Sequence, residues 1–90
     1  MASSKITPVK EEKLIALSKE VALALKTERE RQAISQNELA QRSGMSRTGL
    51  RAIELHINSP TLVSFLRISA GLKVSLGEIV QKTEKSLHEK

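Results

Sequence analysis

The chain has 90 residues, with 15 Lys and Arg against ten Glu, for a formal net charge of +5. That length makes one domain with a single modest core; without Cys it has no disulfide and no thiolate zinc site, and without Asp it lacks the calcium loop and most two-metal sites. Phe65 is the lone aromatic, which argues against stacking on single strands and makes duplex the natural polyanion for a basic chain.

Residues 1–9 (MASSKITPV) are small, polar and Pro-interrupted, and are expected to form a flexible arm. From about Lys10 to Gln32 the pattern is helical. Leu14, Leu17, Val21 and Leu25 share one stripe, which Ile15 and Ala22 broaden. Glu28, Arg29, Glu30 and Arg31 close this helix with mixed signs, as a mostly solvated face.

Ser35 to Ile53 (SQNELAQRSGMSRTGLRAI) reads as two short helices joined by a tight turn. Ser35 caps the first, and Glu38 three residues on completes a capping box. Leu39 and Ala40 face inward; a steep crossing over a short turn requires a side chain as small as Ala40. Gly44 supplies the positive φ of the turn. Ser46 caps the second helix, and Leu50 and Ile53 form its buried stripe. Arg47, Thr48 and Arg51 are left on the outer face: a helix-turn-helix with an exposed basic recognition helix.

His56 to Pro60 (HINSP) is a loop, since Asn58 suits a turn and Pro60 disfavours helix at Ser59. Thr61 caps the next helix, with Leu62, Phe65, Leu66 and Leu72 inward and Arg67 outward. Ser75 to Glu78 (SLGE) is a second capping box opening a short last helix with Leu76, Ile79 and Val80 apolar. The tail from Gln81 loses the pattern and is expected to fray. The expected organisation is therefore an arm over 1–9, one helical domain over 10–84 and a flexible tail over 85–90. With no strand signal the fold class is all-α with five helices.

Leu76, Ile79 and Val80 carry more apolar surface than the core should need, so dimer contacts are expected between Leu72 and Val80. His56 and His88 lie in the loop and the tail with no Cys or Asp to partner them, so neither an enzyme nor a metal site is expected, and no cofactor. No apolar run approaches the roughly 18 residues of a membrane span, and no signal-peptide core follows the start. A soluble, cytoplasmic protein without membrane contact is expected.

From Leu25 to Val80 the sequence (LKTERERQAISQNELAQRSGMSRTGLRAIELHINSPTLVSFLRISAGLKVSLGEIV) resembles the Cro/C1-type (XRE, lambda-repressor-like) DNA-binding family. The SQNELA start, the Gly44 turn, Ile53-Glu54, Asn58-Ser59-Pro60 and Val74-Ser75-Leu76 all fall in register. The resemblance implies a five-helix lambda-repressor-like domain, here with an extended first helix, whose third helix enters the major groove. It places Gln36 beside a phosphate, Arg47 and Thr48 at base edges with the helical turn around Arg51 and Ala52, and Ser46 and the loop near Asn58 at the backbone. It also implies an Arg29–Glu54 pair joined across the bundle.

Three positions depart from the family pattern. Leu55-His56-Ile57 stands where the family often has Arg-Gly-Lys, which weakens the phosphate clamp and leaves Ile57 either to pack inward or to join a dimer contact. Lys73 replaces a helix-ending glycine at a cost of roughly 1 kcal/mol. Gly49 lies inside the recognition helix, giving up roughly 1 kcal/mol of propensity. The function expected is a sequence-specific double-stranded DNA-binding transcriptional regulator, a repressor, acting as a homodimer on a two-fold operator and nucleoid-associated when bound. The alternative is a protein-interaction module, an antitoxin or adaptor whose main partner is a protein, with the extended first helix as its docking face.

Overall fold

Leu25, Leu39, Leu50 and Leu72 are fully withdrawn from solvent, and each comes from a different helix. The computed structural model describes residues 10–88, which form α1 (Glu11–Arg31), α2 (Gln36–Ser43), α3 (Arg47–Glu54), α4 (Leu62–Leu72) and α5 (Leu76–His88). Among the described residues there is no strand. The core lies where α2 and α3 meet α1 and α4, with Val21, Ile53, Ile68 and Leu76 completing it. Each leucine fully buried there contributes about 1.5–3 kcal/mol by leaving water.

The helix starts follow the local sequence. Ser35 Oγ accepts from Glu38 N at 3.0 Å, Ser46 Oγ from Gly49 N at 2.9 Å, Thr61 Oγ1 from Ser64 N at 3.1 Å and Ser75 Oγ from Glu78 N at 3.2 Å. Each bond satisfies an amide that the first helical turn leaves free. The capping box at Ser35 is only half formed, because the Glu38 carboxylate turns to Arg42 instead. At Gly49 a methyl group would sit 3.0 Å from Ser46 Oγ, so the glycine leaves room for the serine that caps its own helix.

The first four helices end alike. Ala33, Gly44, His56 and Lys73 take left-handed backbone at φ +58°, +67°, +60° and +59°. The residue after each folds an amide back onto the helix: Ile34 to Arg29 O, Met45 to Ala40 O, Ile57 to Ala52 O and Val74 to Ser69 O. These are Schellman turns, with an apolar residue at the returning position. Three of the four use a side-chain-bearing residue where glycine is cheaper by about 1 kcal/mol. Replacing Lys73 by glycine is therefore expected to stabilise the protein by about that much and raise the melting temperature by about 4–8 °C. An unchanged or lower midpoint in a thermal melt would show that the Lys73 side chain itself holds the turn.

α2 and α4 approach closely at Gly71. A methyl group there would overlap Ser43 Oγ and stand 3.0 Å from Leu39 Cδ1. Ser43 Oγ is itself buried without a hydrogen-bond partner among the described residues. Overpacking typically costs about 1–3 kcal/mol, more than the roughly 1 kcal/mol that alanine returns as a better helix former. Gly71→Ala is thus expected to lower stability in denaturant titration. Adding Ser43→Ala should recover most of the loss, and equal losses for the single and double variants would place the obstruction elsewhere.

The structure corrects the sequence reading at three points. Leu14 and Ile15 are 54% and 45% exposed, because the first turns of α1 stand beyond the core that Val21, Ala22 and Leu25 enter. On α4, Leu62 and Leu66 are 67% and 49% exposed, and the inward face is Phe65, Ile68, Ser69, Gly71 and Leu72. α5 does not fray at Gln81 but runs to His88. It lies along α1 with Thr83 buried and bonded to Ile79 O at 2.8 Å, so a neighbouring helix holds it rather than its own apolar pattern. The expected arm over 1–9 and residues 89–90 of the expected tail lie outside the described residues.

Candidate nucleic-acid interface

α2 ends at Ser43 with Gly44 as its cap, Met45 is half-buried, and α3 starts from its Ser46 cap, so three residues separate the two helices. Leu39 and Ala40 on α2 and Leu50 and Ile53 on α3 are buried, which leaves one face of α3 for solvent. Arg47, Thr48 and Arg51 stand exposed on that face, with Ala52 half-buried beside them. Together with Leu55 and Ile57 these residues line one open hollow.

The charge pattern singles out the same helix. Arg29, Arg31 and Arg42 are each paired with a glutamate. Among the described residues, Arg47, Arg51 and Arg67 have no carboxylate within salt-bridge distance. Two of these three free guanidinium groups lie one helical turn apart in the hollow. Each has the fork of donors that matches phosphate or the O6 and N7 edge of guanine.

The orientation of α3 is fixed from behind. Arg29 Nε donates to Glu54 Oε2 at 2.8 Å and Nη2 to Oε1 at 3.1 Å, while Nη1 donates to the carbonyl of Ile34 at 2.7 Å. The two side chains are 11% and 5% exposed. The Glu54 bond raises the Arg29 pKa above its already high value, which holds the guanidinium in its charged form. Glu54 closes α3 at the end where the helix dipole disfavours an anion, and Arg29 offsets that. Gln36 Nε2 also donates to Glu54 Oε1, at 2.9 Å, which ties the start of α2 to the end of α3. The amide therefore keeps one free N–H and its oxygen.

A family model for the helix-turn-helix matches residues 25–79, more than half of the chain. The chain belongs to the Cro/C1-type helix-turn-helix family. As a member of that family it is a DNA-binding transcription regulator. The solved structure of the wild-type restriction-modification controller protein C.Esp1396I is similar, with a TM-score of 0.71 and 30% identity over 82% of this chain and 95% of that one. A tyrosine-to-alanine mutant of the same controller gives a TM-score of 0.71 and 30% identity over 81% and 94% of the two chains. No curated protein sequence matches the chain.

In this helix-turn-helix, α3 takes the place of the recognition helix. Ser46, Arg47, Thr48, Arg51 and Ala52 come together on or beside its outer face, and Gln36 sits at the start of α2 behind the Glu54 end. Asn58 is placed apart. It lines a second cleft with His56 and Pro60, facing Leu14 and Ile15 of α1. Leu76 is only 8% exposed and belongs to the chain's own core, so of the three residues expected at a dimer face it has almost no surface to offer; Ile79 and Val80 are half-buried. The sequence reading missed the bond from Gln36 to Glu54 and the place of Leu55 beside Arg51. The i, i+4 spacing of Arg47, Arg51 and Leu55 was the available signal for the second.

Proposed function

We propose that the protein is a sequence-specific repressor that binds a two-fold operator as a homodimer. The reading rests on the outer face of α3, where Arg47 and Arg51 stand uncompensated in an open hollow while the other side of the helix is buried. Arginines inserted into a major groove would pair with guanine edges, and Thr48 would contact a thymine methyl or a base edge. Ser46 and Gln36 would hold the protein to the phosphates on either side: the Ser46 hydroxyl hydrogen is free while its oxygen caps α3, and the Gln36 amide keeps one N–H. The likeness to a restriction-modification controller supports a regulator of that kind over an antitoxin-type partner of another protein.

The test is to recover genomic fragments bound by the purified protein and read their common site, then titrate that site at two salt concentrations. The expected result is a pair of inverted half-sites about 10–10.5 bp apart, or a multiple of that. Fragments without a shared sequence, bound with the same affinity as scrambled duplex, would overturn the reading.

A further inference from the structure

Arg67 is the third arginine without a carboxylate partner among the described residues, and it is the only charged residue of α4. It lies four positions before Gly71, so the two share one face of that helix. At Gly71 this face meets Ser43, where an added methyl group would overlap Oγ. One turn back, the Arg67 side chain reaches the next residue of the same segment: a methyl group at Gly44 would stand 3.0 Å from its Nη1. Glycine at position 44 thus serves the left-handed turn and also leaves room for a guanidinium against it. Glu38, the one acid of α2, is held by Arg42, and Arg67 stays exposed.

We infer that Arg67 is a phosphate contact of the DNA complex, set at the turn between α2 and α3 to hold the strand beside the start of the recognition helix. The inference rests on the reading of α3 as the helix that enters the major groove. Position supports it. Arg51 and Arg47 lie one turn apart on α3, and Gly44 comes three residues before Arg47, so the unpaired guanidinium groups continue past the start of the helix instead of ending with it. Ser46, the hydroxyl assigned to the DNA backbone, is two residues from Gly44, at most about 7.6 Å between Cα atoms. Chemistry supports it as well. Arg47 and Thr48 occupy the helix that reaches base edges, whereas a group rooted on α4 stands behind that helix, where a duplex presents its phosphates. The guanidinium matches them with its fork of donors and a charge that no carboxylate of the described residues offsets. A cation beside Gly44 also suits the dipole at the C-terminal end of α2, and the two roles separate in a single measurement.

The test is a salt titration of the full chain against its operator and against scrambled duplex, with thermal melts as the check on folding. Arg67→Gln removes the charge from an exposed side chain, so the variant should melt like the wild type. Its plot of log affinity against log salt should be shallower by about 0.9 for each bound chain, on both duplexes. The variant should therefore bind more weakly at low salt, and the gap should close by roughly 3-fold per chain between about 50 and about 200 mM. Arg67→Lys keeps the charge and should keep most of the slope. An Arg67→Gln protein with the wild-type slope overturns the inference, and a lowered melting midpoint in that protein would assign the guanidinium to the end of α2. A loss confined to operator also overturns it, since a phosphate contact weakens every sequence alike. A wild type that binds both duplexes equally, with the slope still reduced in Arg67→Gln, supports the phosphate contact and overturns the specific-repressor reading. A wild type that binds neither duplex overturns both.

Discussion

Glu54→Ala should lower the stability of the protein by about 3–5 kcal/mol, the usual loss when one member of a buried ion pair is removed and the other is stranded. Glu54 accepts three bonds, two from Arg29 and one from Gln36, and its carboxylate is 5% exposed. Without it the Arg29 guanidinium keeps only the Ile34 carbonyl. Domains of this size hold about 5–15 kcal/mol in all, so the variant should be partly unfolded at growth temperature. Arg29→Ala should lose a similar amount, since it leaves a carboxylate at the C-terminal end of α3 with one amide to satisfy it. The double variant should lose less than the sum of the singles, because neither charge is then stranded. Denaturant titrations of the three proteins give the coupling directly. Single losses within about 0.5 kcal/mol of zero, the range of ordinary surface changes, would mean that the pair does not hold α3 in place.

How much of this could be read from the sequence depended on the range of the interaction. Caps at Ser35, Ser46, Thr61 and Ser75 were legible because the bonded amide is three residues away and its position follows from the helix itself. The exposed face of α3 was legible for the same reason, since Leu50 and Ile53 fix which side is buried. Periodicity tells which side chains share a face, not whether a neighbour covers that face. Leu14, Ile15, Leu62 and Leu66 look like core residues in the sequence and are exposed because none of the described residues packs over them. The length of α5 was hidden because α1 holds it, and α1 is more than 40 residues away in sequence. The bond from Gln36 to Glu54 joins positions 18 apart and became visible only when α2 and α3 were set against each other.

Arg47→Ala and Arg51→Ala should separate specificity from general affinity. Both side chains are free of internal partners among the described residues, both line the hollow on the outer face of α3, and neither supports the core. Their removal should leave the melting temperature within the range of other surface changes, about ±0.5 kcal/mol. A bidentate arginine contact to guanine discriminates by about 1–3 kcal/mol against the wrong base, or roughly 5- to 150-fold, and a two-fold dimer loses one contact in each half-site. Operator affinity should therefore fall much further than affinity for scrambled duplex. Gln36→Ala should behave differently. It removes a group placed to hold a phosphate, so it should weaken both DNAs together and reduce the salt slope, with a smaller loss of stability from its broken bond to Glu54. Titrating each variant against both duplexes at two salt concentrations separates the cases. Equal losses on operator and scrambled DNA for both arginines would make α3 a surface that follows phosphates, and base recognition would then have to come from another part of the chain.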